Sequence, residues 1–212
     1  MSHRLVVPAP PSLPLAPNAY LPRYNDQLNN VLRLYFNQLN GNVAALADKQ
    51  GARFLDTPYG QFSSTADQTA ATTTDANTME FNTTDFENGV FLLSASSIGV
   101  THAGIYNVQF SAQFVNTDTA EQDVDVWFRF NGTDVPNSNS RVSVAKSHGS
   151  GDGHAILALN FLMTLSPQQP LSLMWSVTST ALSLQAFSGL TSPTRPDIPS
   201  IITTVTYVSA AP

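Results

Sequence analysis

The residues of this chain whose types could do chemistry are four histidines and a thin scatter of carboxylates. Two of the histidines, His148 and His154, bracket Asp152 in the run HGSGDGH at 148–154, and these are metal-ligand types. Glycine supplies no side chain to orient an imidazole ring, so this spacing suits a solvent-exposed loop better than a metal centre. No lysine and no Ser/Thr-led helix follows the run, so it does not suit a phosphate cradle either. Asp123 and Asp125 are two residues apart and share a face on a strand, with Asp118 and Glu121 in the turn before them. Together they could offer oxygens to calcium, but no glycine-bearing twelve-residue loop closed by glutamate accompanies them. Solvated rim carboxylates are the expectation. The serines lack a G-x-S-x-G nucleophile elbow. Glu80, Glu87 and Glu121 are the only glutamates, which weighs against a carboxylate pair for glycoside hydrolysis. Without cysteine there is no thiol nucleophile, thiolate metal site or disulfide framework. No catalytic residue, metal ligand or cofactor is assigned, and the expectation is a protein that is not an enzyme.

The totals narrow the partners. Charged residues make up 11% of the 212-residue chain, far below the roughly 25% of an ordinary soluble domain. Apolar residues make up 42%, enough for a substantial core. Two lysines, Lys49 and Lys146, and seven scattered arginines leave a net charge of −6. No basic patch can neutralise a run of phosphates, so neither nucleic acid nor an acidic membrane is an expected partner. No apolar stretch approaches the ~18 residues of a membrane span, and prolines 8, 10, 11, 14 and 17 interrupt any leader-like segment. A soluble chain with no membrane insertion is expected. Surfaces that rely on Ser, Thr, Asn and Gln in place of charge are common where copies of one protein cover each other.

These residues must be positioned by two unlike ends. Residues 1–23 form a proline-rich arm, stiffened toward a polyproline conformation and unable to build a core. Its apolar side chains, Leu5, Val6, Val7, Leu13 and Leu15, favour an arm that orders against a partner surface over a disordered tail. Residues 24–50 hold one amphipathic helix, expected from Asn25 to Asn40, capped by Asn25 or Asp26 and stopped at Asn40-Gly41. A weaker helical piece is expected at 43–48. Leu28, Val31, Leu32, Tyr35, Phe36 and Leu39 recur at three- and four-residue spacing. That stripe either packs on the chain's own β-domain or forms a short bundle in which Leu28, Leu32, Tyr35 and Leu39 face symmetry mates. Residues 51–77 read as a Thr/Ser-rich connecting segment.

From residue 78 to 212 the period is two. GIYNVQFSAQFVN (104–116) and QDVDVWFRF (122–130) each alternate an apolar and a polar face. Asn131-Gly132 marks a tight hairpin turn. HAILALNFLMTL (154–165) is apolar on both faces, which suits either a central sandwich strand or a subunit interface. With PLSLMWSV, ALSLQAF and SIITTVTYV, the expected fold class is all-β: an antiparallel jelly-roll sandwich preceded by an extended proline-rich arm and one amphipathic α-helix.

The order GVFLLSASSIGV, AGIYNVQFSAQF, DVDVWFRFNGTDVPNS, PLSLMWSV and RPDIPSIITTVTYV resembles the trimeric jelly roll of complement globular heads and tumour-necrosis-factor-like domains. It is most similar in flavour to the versions in bacteriophage virion structural proteins, over roughly residues 78–210. YNDQLNNVLRLYFNQLN is also similar to the entry segment of phage fibre or virion-surface proteins. The resemblance implies a homotrimer meeting around a threefold axis through apolar faces. The calcium-binding acidic residues of some complement-type heads have no counterpart here.

The expected function is a homotrimeric structural protein located in a phage virion, anchored to other virion proteins by its arm and helix, with the head projecting outward. Two roles fit: a fibre or tail component that attaches to a host glycan or surface protein, or a capsid decoration protein. The alternative is a secreted carbohydrate-binding jelly-roll module. Trp127 is the candidate surface-recognition residue, as a sugar-stacking platform, against the alternatives of a trimer seam or ordinary packing.

Overall fold

The structure is a computed structural model that describes residues 8–47, 56–149 and 151–210. The chain divides into two units, residues 1–56 and 57–212.

In the first unit, residues 8–21 lack regular structure, with a bend at Asn18-Ala19. Pro8, Pro11, Pro14 and Pro17 are each half-buried while the residues between them are exposed. That three-residue repeat is the period of a polyproline II helix, which has three residues per turn. A single helix follows, α1 (Pro22–Ala47). It starts earlier and ends later than the residues suggest. Pro22 takes the first helical position, where its missing N–H costs nothing, so Asn25 and Asp26 lie inside the helix and do not cap it. Gly41 does not stop the helix either. A Cβ there would meet open space, and its backbone simply continues the α-conformation. The separate piece expected at 43–48 is the last turn of α1; Asp48 lies outside the described residues. α1 is not long and apolar enough to cross a membrane.

The second unit has sixteen strands among the described residues, fourteen of them in the two sheets of a sandwich and two in a separate β14-β15 ribbon. Its first half holds β1 (Tyr59–Ser64), β2 (Gln68–Thr69), β3 (Asn77–Thr78), β4 (Thr83–Asn88), β5 (Val90–Ser94), β6 (Ser97–Val100), β7 (Gly104–Asn116) and β8 (Gln122–Phe130). The second half holds β9 (Thr133–Asp134), β10 (Ser140–Val144), β11 (Gly153–Leu165), β12 (Leu171–Val177), β13 (Leu182–Leu184), β14 (Leu190–Thr191), β15 (Thr194–Arg195) and β16 (Ile201–Ser209). One sheet is built around β7. β11 pairs along the whole of one edge of β7, from Gly153↔Asn116 to Leu165↔Gly104. The other edge of β7 takes β16, then β13 at its far end, and the sheet continues through β1 to β4. The second sheet runs β10-β8-β12-β6-β5. All pairings between these strands are antiparallel, and spatial neighbours such as β7 and β16 are remote in sequence, an arrangement compatible with a jelly roll. The fold class is that expected from the alternation.

The sandwich also takes in residues 57–77, which the sequence alone assigns to a connecting segment. β1 lies between β16 and β4 with Phe62 fully buried, because Phe62 and Ser64 point inward and the Phe62 ring packs against Gly60, where a Cβ would collide with it. The Thr/Ser-rich composition hides that short alternation.

The core is where the two inner faces meet. β7 contributes Tyr106, Val108, Phe110, Ala112 and Phe114, and β8 contributes Val124, Val126 and Phe128. Phe128 packs edge-on against Phe110, with ring centroids 5.8 Å apart, and tilted against Phe161 at 5.6 Å. Burying each such side chain contributes about 1.5–3 kcal/mol. Asn131 (φ 47°) and Gly132 (φ 80°) form the tight β8–β9 turn, with Phe130 opposite Thr133. Positive φ at both central residues is what the Asn-Gly pair supplies.

Candidate functional site

Charge is missing from three neighbouring strands of one sheet and returns only at its far edge, where β4 carries Asp85 and Glu87. β11, β7 and β16 are adjacent and contain no Asp, Glu, Lys or Arg at any position. Register places Ile156 opposite Gln113, Ala158 opposite Ser111, Asn160 opposite Gln109 and Leu162 opposite Asn107 on their outer face. Ile202 and Thr204 of β16 continue those rows. A hollow of about 470 Å³ lies among Gln109, Ser111, Ala158, Asn160, Ile202 and Thr204. Ile156 is 61% and Leu162 60% exposed.

β11 is not the central strand that its two apolar faces would allow. It is a thirteen-residue edge strand, and no described strand pairs with its outer edge. Edge strands in soluble proteins are usually blunted by lysine, proline or a bulge, and β11 has none of these. Leu157, Leu159 and Met163 turn inward, while Ile156, Ala158 and Leu162 face out.

The outer face of the second sheet is charged along its length. On β8, Asp123, Asp125, Trp127 and Arg129 alternate with the core residues. Arg141 of β10 bonds Asp125 through Nε (3.1 Å to Oδ1) and a terminal nitrogen (2.7 Å to Oδ2). Ser143 donates to Asp123 at 2.6 Å. Asp134 of β9 accepts from Arg129 Nε at 2.6 Å and from Trp127 Nε1 at 2.9 Å, both at Oδ1. The hydrogen bond from Arg129, then that from Trp127, hold the Asp134 carboxyl below the usual carboxylate range. Trp127 is half-buried and lines a hollow of about 360 Å³ together with Asp125, Asp134, Asn137, Asn139 and Ser176.

The remaining candidates are dispersed. Asp118 caps its own turn: Ser179 and Gln122 donate to its carboxylate, and the Ser179 bond leads the interactions that lower its pKa. Its oxygens, like those of Asp123 and Asp125, are engaged by protein donors. His148 and Gly151 exchange two backbone hydrogen bonds in a tight loop, and His154 sits in β11 with its ring edge-on to Phe187 at 5.6 Å. On α1, Leu28, Leu32 and Tyr35 are half-buried and Leu39 is exposed. The extended helix adds Val43 and Leu46 to that stripe, both exposed. In the arm Leu13 is exposed, and Leu15 is 95% exposed. Leu5, Val6 and Val7 lie outside the described residues.

Composition hints at self-association without locating it, and inspection of single motifs misses Ile156, Ala158 and Ile202. The signal that finds them is the absence of charge from three strands that become neighbours only through pairing. Asp134 and Asn137 escape because they lie in the turn region after Trp127 and carry no motif.

No protein-family model matches this chain, and no curated protein does.

Proposed function

We propose that this chain is a non-enzymatic structural subunit of a phage virion, assembled as a homotrimer through the outer face of β11, β7 and β16. The observation that carries self-association is the uncharged face itself, with Ile156 and Leu162 exposed on an unpaired edge strand. Exposed apolar groups such as Ile156 and Leu162 on a face without charge favour an interaction surface, and removing their apolar area from water contributes about 25 cal/mol per Å². Obligate interfaces commonly bury more than about 2,000 Å², so the isolated protomer is expected to be poorly stable. The number three and the virion setting rest on the resemblance of the strand motifs to trimeric phage jelly rolls. The exposed Leu13 and Leu15 of a proline-stiffened arm, and the apolar stripe of α1, support attachment to other virion proteins.

Light scattering on the purified full chain tests the assembly. A mass three times the 22.8 kDa chain is expected; a monomer at micromolar concentration overturns it. Deleting residues 1–20 is expected to leave the trimer intact and to abolish incorporation into the parent particle. Unchanged incorporation removes the anchoring role. Copy number on the particle then separates the two roles: hundreds indicate decoration, and a few to a few tens indicate a fibre or tail part.

A further inference from the structure

We infer that the hollow beside Trp127 is a binding subsite for a neutral saccharide, with the Trp127 indole as its stacking platform. It lies on the outer face opposite to β11, β7 and β16, so it stands whether the protein is a trimer or a monomer.

The first support is a fixed aromatic ring. Trp127 Nε1 donates to Asp134 Oδ1, and Arg129 holds that same oxygen from the other side. The indole is thereby oriented before any ligand arrives, which removes part of the entropy cost of binding. A pyranose presents a face of C–H groups with positively polarised hydrogens, and these pack on the electron-rich face of an indole.

The second support is a set of uncommitted polar groups around that ring. No described residue hydrogen-bonds the Asn137 side-chain amide, the Ser176 hydroxyl or Asp134 Oδ2, and all three residues line the hollow with Trp127. A carboxylate accepts, an amide donates and accepts, and a hydroxyl does both, which matches the alternating demands of sugar hydroxyls. Asn137 adopts φ 61°, a backbone conformation that L-residues seldom take. Its side chain is therefore carried on a tight turn and not on a loose loop.

The third support is charge. Asp123, Asp125 and Asp134 face only Arg129 and Arg141 on this surface, and both arginines are already paired. The carboxylates in excess disfavour sialic and uronic acids and leave neutral sugars as the class that fits.

Fluorescence reads the site directly. The chain has two tryptophans, and Trp175 is 1% exposed in the core, so a ligand-induced change reports Trp127. The full chain is first screened on an array of neutral and acidic oligosaccharides, and the best neutral hit is titrated. The expected result is saturable binding of neutral glycans with a fluorescence change, and binding on the array weaker by about tenfold or more in Trp127→Ala, which deletes the stacking face. Trp127→Ala also removes the bond to Asp134 that ties β8 to β9, so Asn137→Gly serves as the second variant. Glycine accepts the positive φ and deletes only the amide, and about tenfold weaker binding is expected. Binding confined to acidic glycans, binding indifferent to both substitutions, or no binding to any neutral glycan on the array would each overturn the inference.

Discussion

Leu162 of β11 stands directly across the strand pair from Asn107 of β7, and the two side chains are in opposite difficulty. Leu162 is 60% exposed, whereas the Asn107 side-chain oxygen is shielded from solvent with no hydrogen-bond partner among the described residues. The unpaired carbonyl is sealed within the chain, whereas a leucine this exposed is a group that a second molecule would remove from water.

Leu162→Asp is therefore expected to convert the proposed trimer to species of the single-chain mass, because a carboxylate would be buried without a partner. Light scattering checks the mass and far-UV circular dichroism checks that the β-fold persists. A variant that keeps the parent mass removes this face from the interface.

Asn116 ties three segments together at the end of β7. Its Nδ2 donates toward the carbonyls of Ala120 (2.9 Å), Val144 (3.1 Å) and Ala145 (3.2 Å), and its Oδ1 accepts from the Asp118 amide at 2.9 Å. The residue is fully buried. Asn116→Ala leaves those groups unsatisfied, and a loss of about 2–4 kcal/mol is expected in urea titration. A loss below about 0.5 kcal/mol would show that water replaces the amide.

Phe128 tests the core. Truncation to alanine removes its contacts with both Phe110 and Phe161 and is expected to cost about 3–5 kcal/mol. The check is the urea midpoint at unchanged slope.

Acid should weaken the sandwich in a defined direction. Asp118 and Asp134 are held below the usual carboxylate range in the folded chain. Between the folded and unfolded values the unfolded chain binds more protons, so stability falls as pH falls. The contribution is complete above about pH 4, the ordinary Asp value, and disappears as pH drops through the lower folded values. Asp134→Asn is expected to flatten the dependence of Tm on pH below 4; an unaltered slope would show that the Arg129 pair contributes nothing measurable.

Gly41 gives a test in the other unit. It sits inside α1 with open space where a Cβ would go, and glycine in a helix interior costs about 1 kcal/mol relative to alanine. Gly41→Ala should raise helical ellipticity and its melting temperature. A decrease would mean that the helix is interrupted at this residue.

Local chemistry made several elements legible without any structure. Strict alternation in 104–116 and 122–130 defines β7 and β8, since a half-buried strand must present unlike faces to core and solvent. Asn131-Gly132 announces its own turn, because few other pairs accept positive φ twice. The bounds of α1 were less legible. Gly41 is an adequate stop by type, and only the continued helical backbone through Ala47 shows that it is not used as one. Residues 59–64 were hidden for a different reason: six residues bury Phe62 only because β16 and β4 flank them.

What the chain determined alone was its class, an apolar content sufficient for a core with too few charges to cover every surface. Where the missing charge lies was a tertiary decision. β7, β11 and β16 are separated by tens of residues, and their uncharged faces merge only when register pairs them. Trp127, Asp134 and Ser176 likewise come from different strands, so the hollow among them exists in no stretch of sequence. Hydrophobic patterning acts over neighbouring residues and chooses each strand's inner face. Which outer faces then stand side by side depends on long-range pairing, which no local pattern encodes.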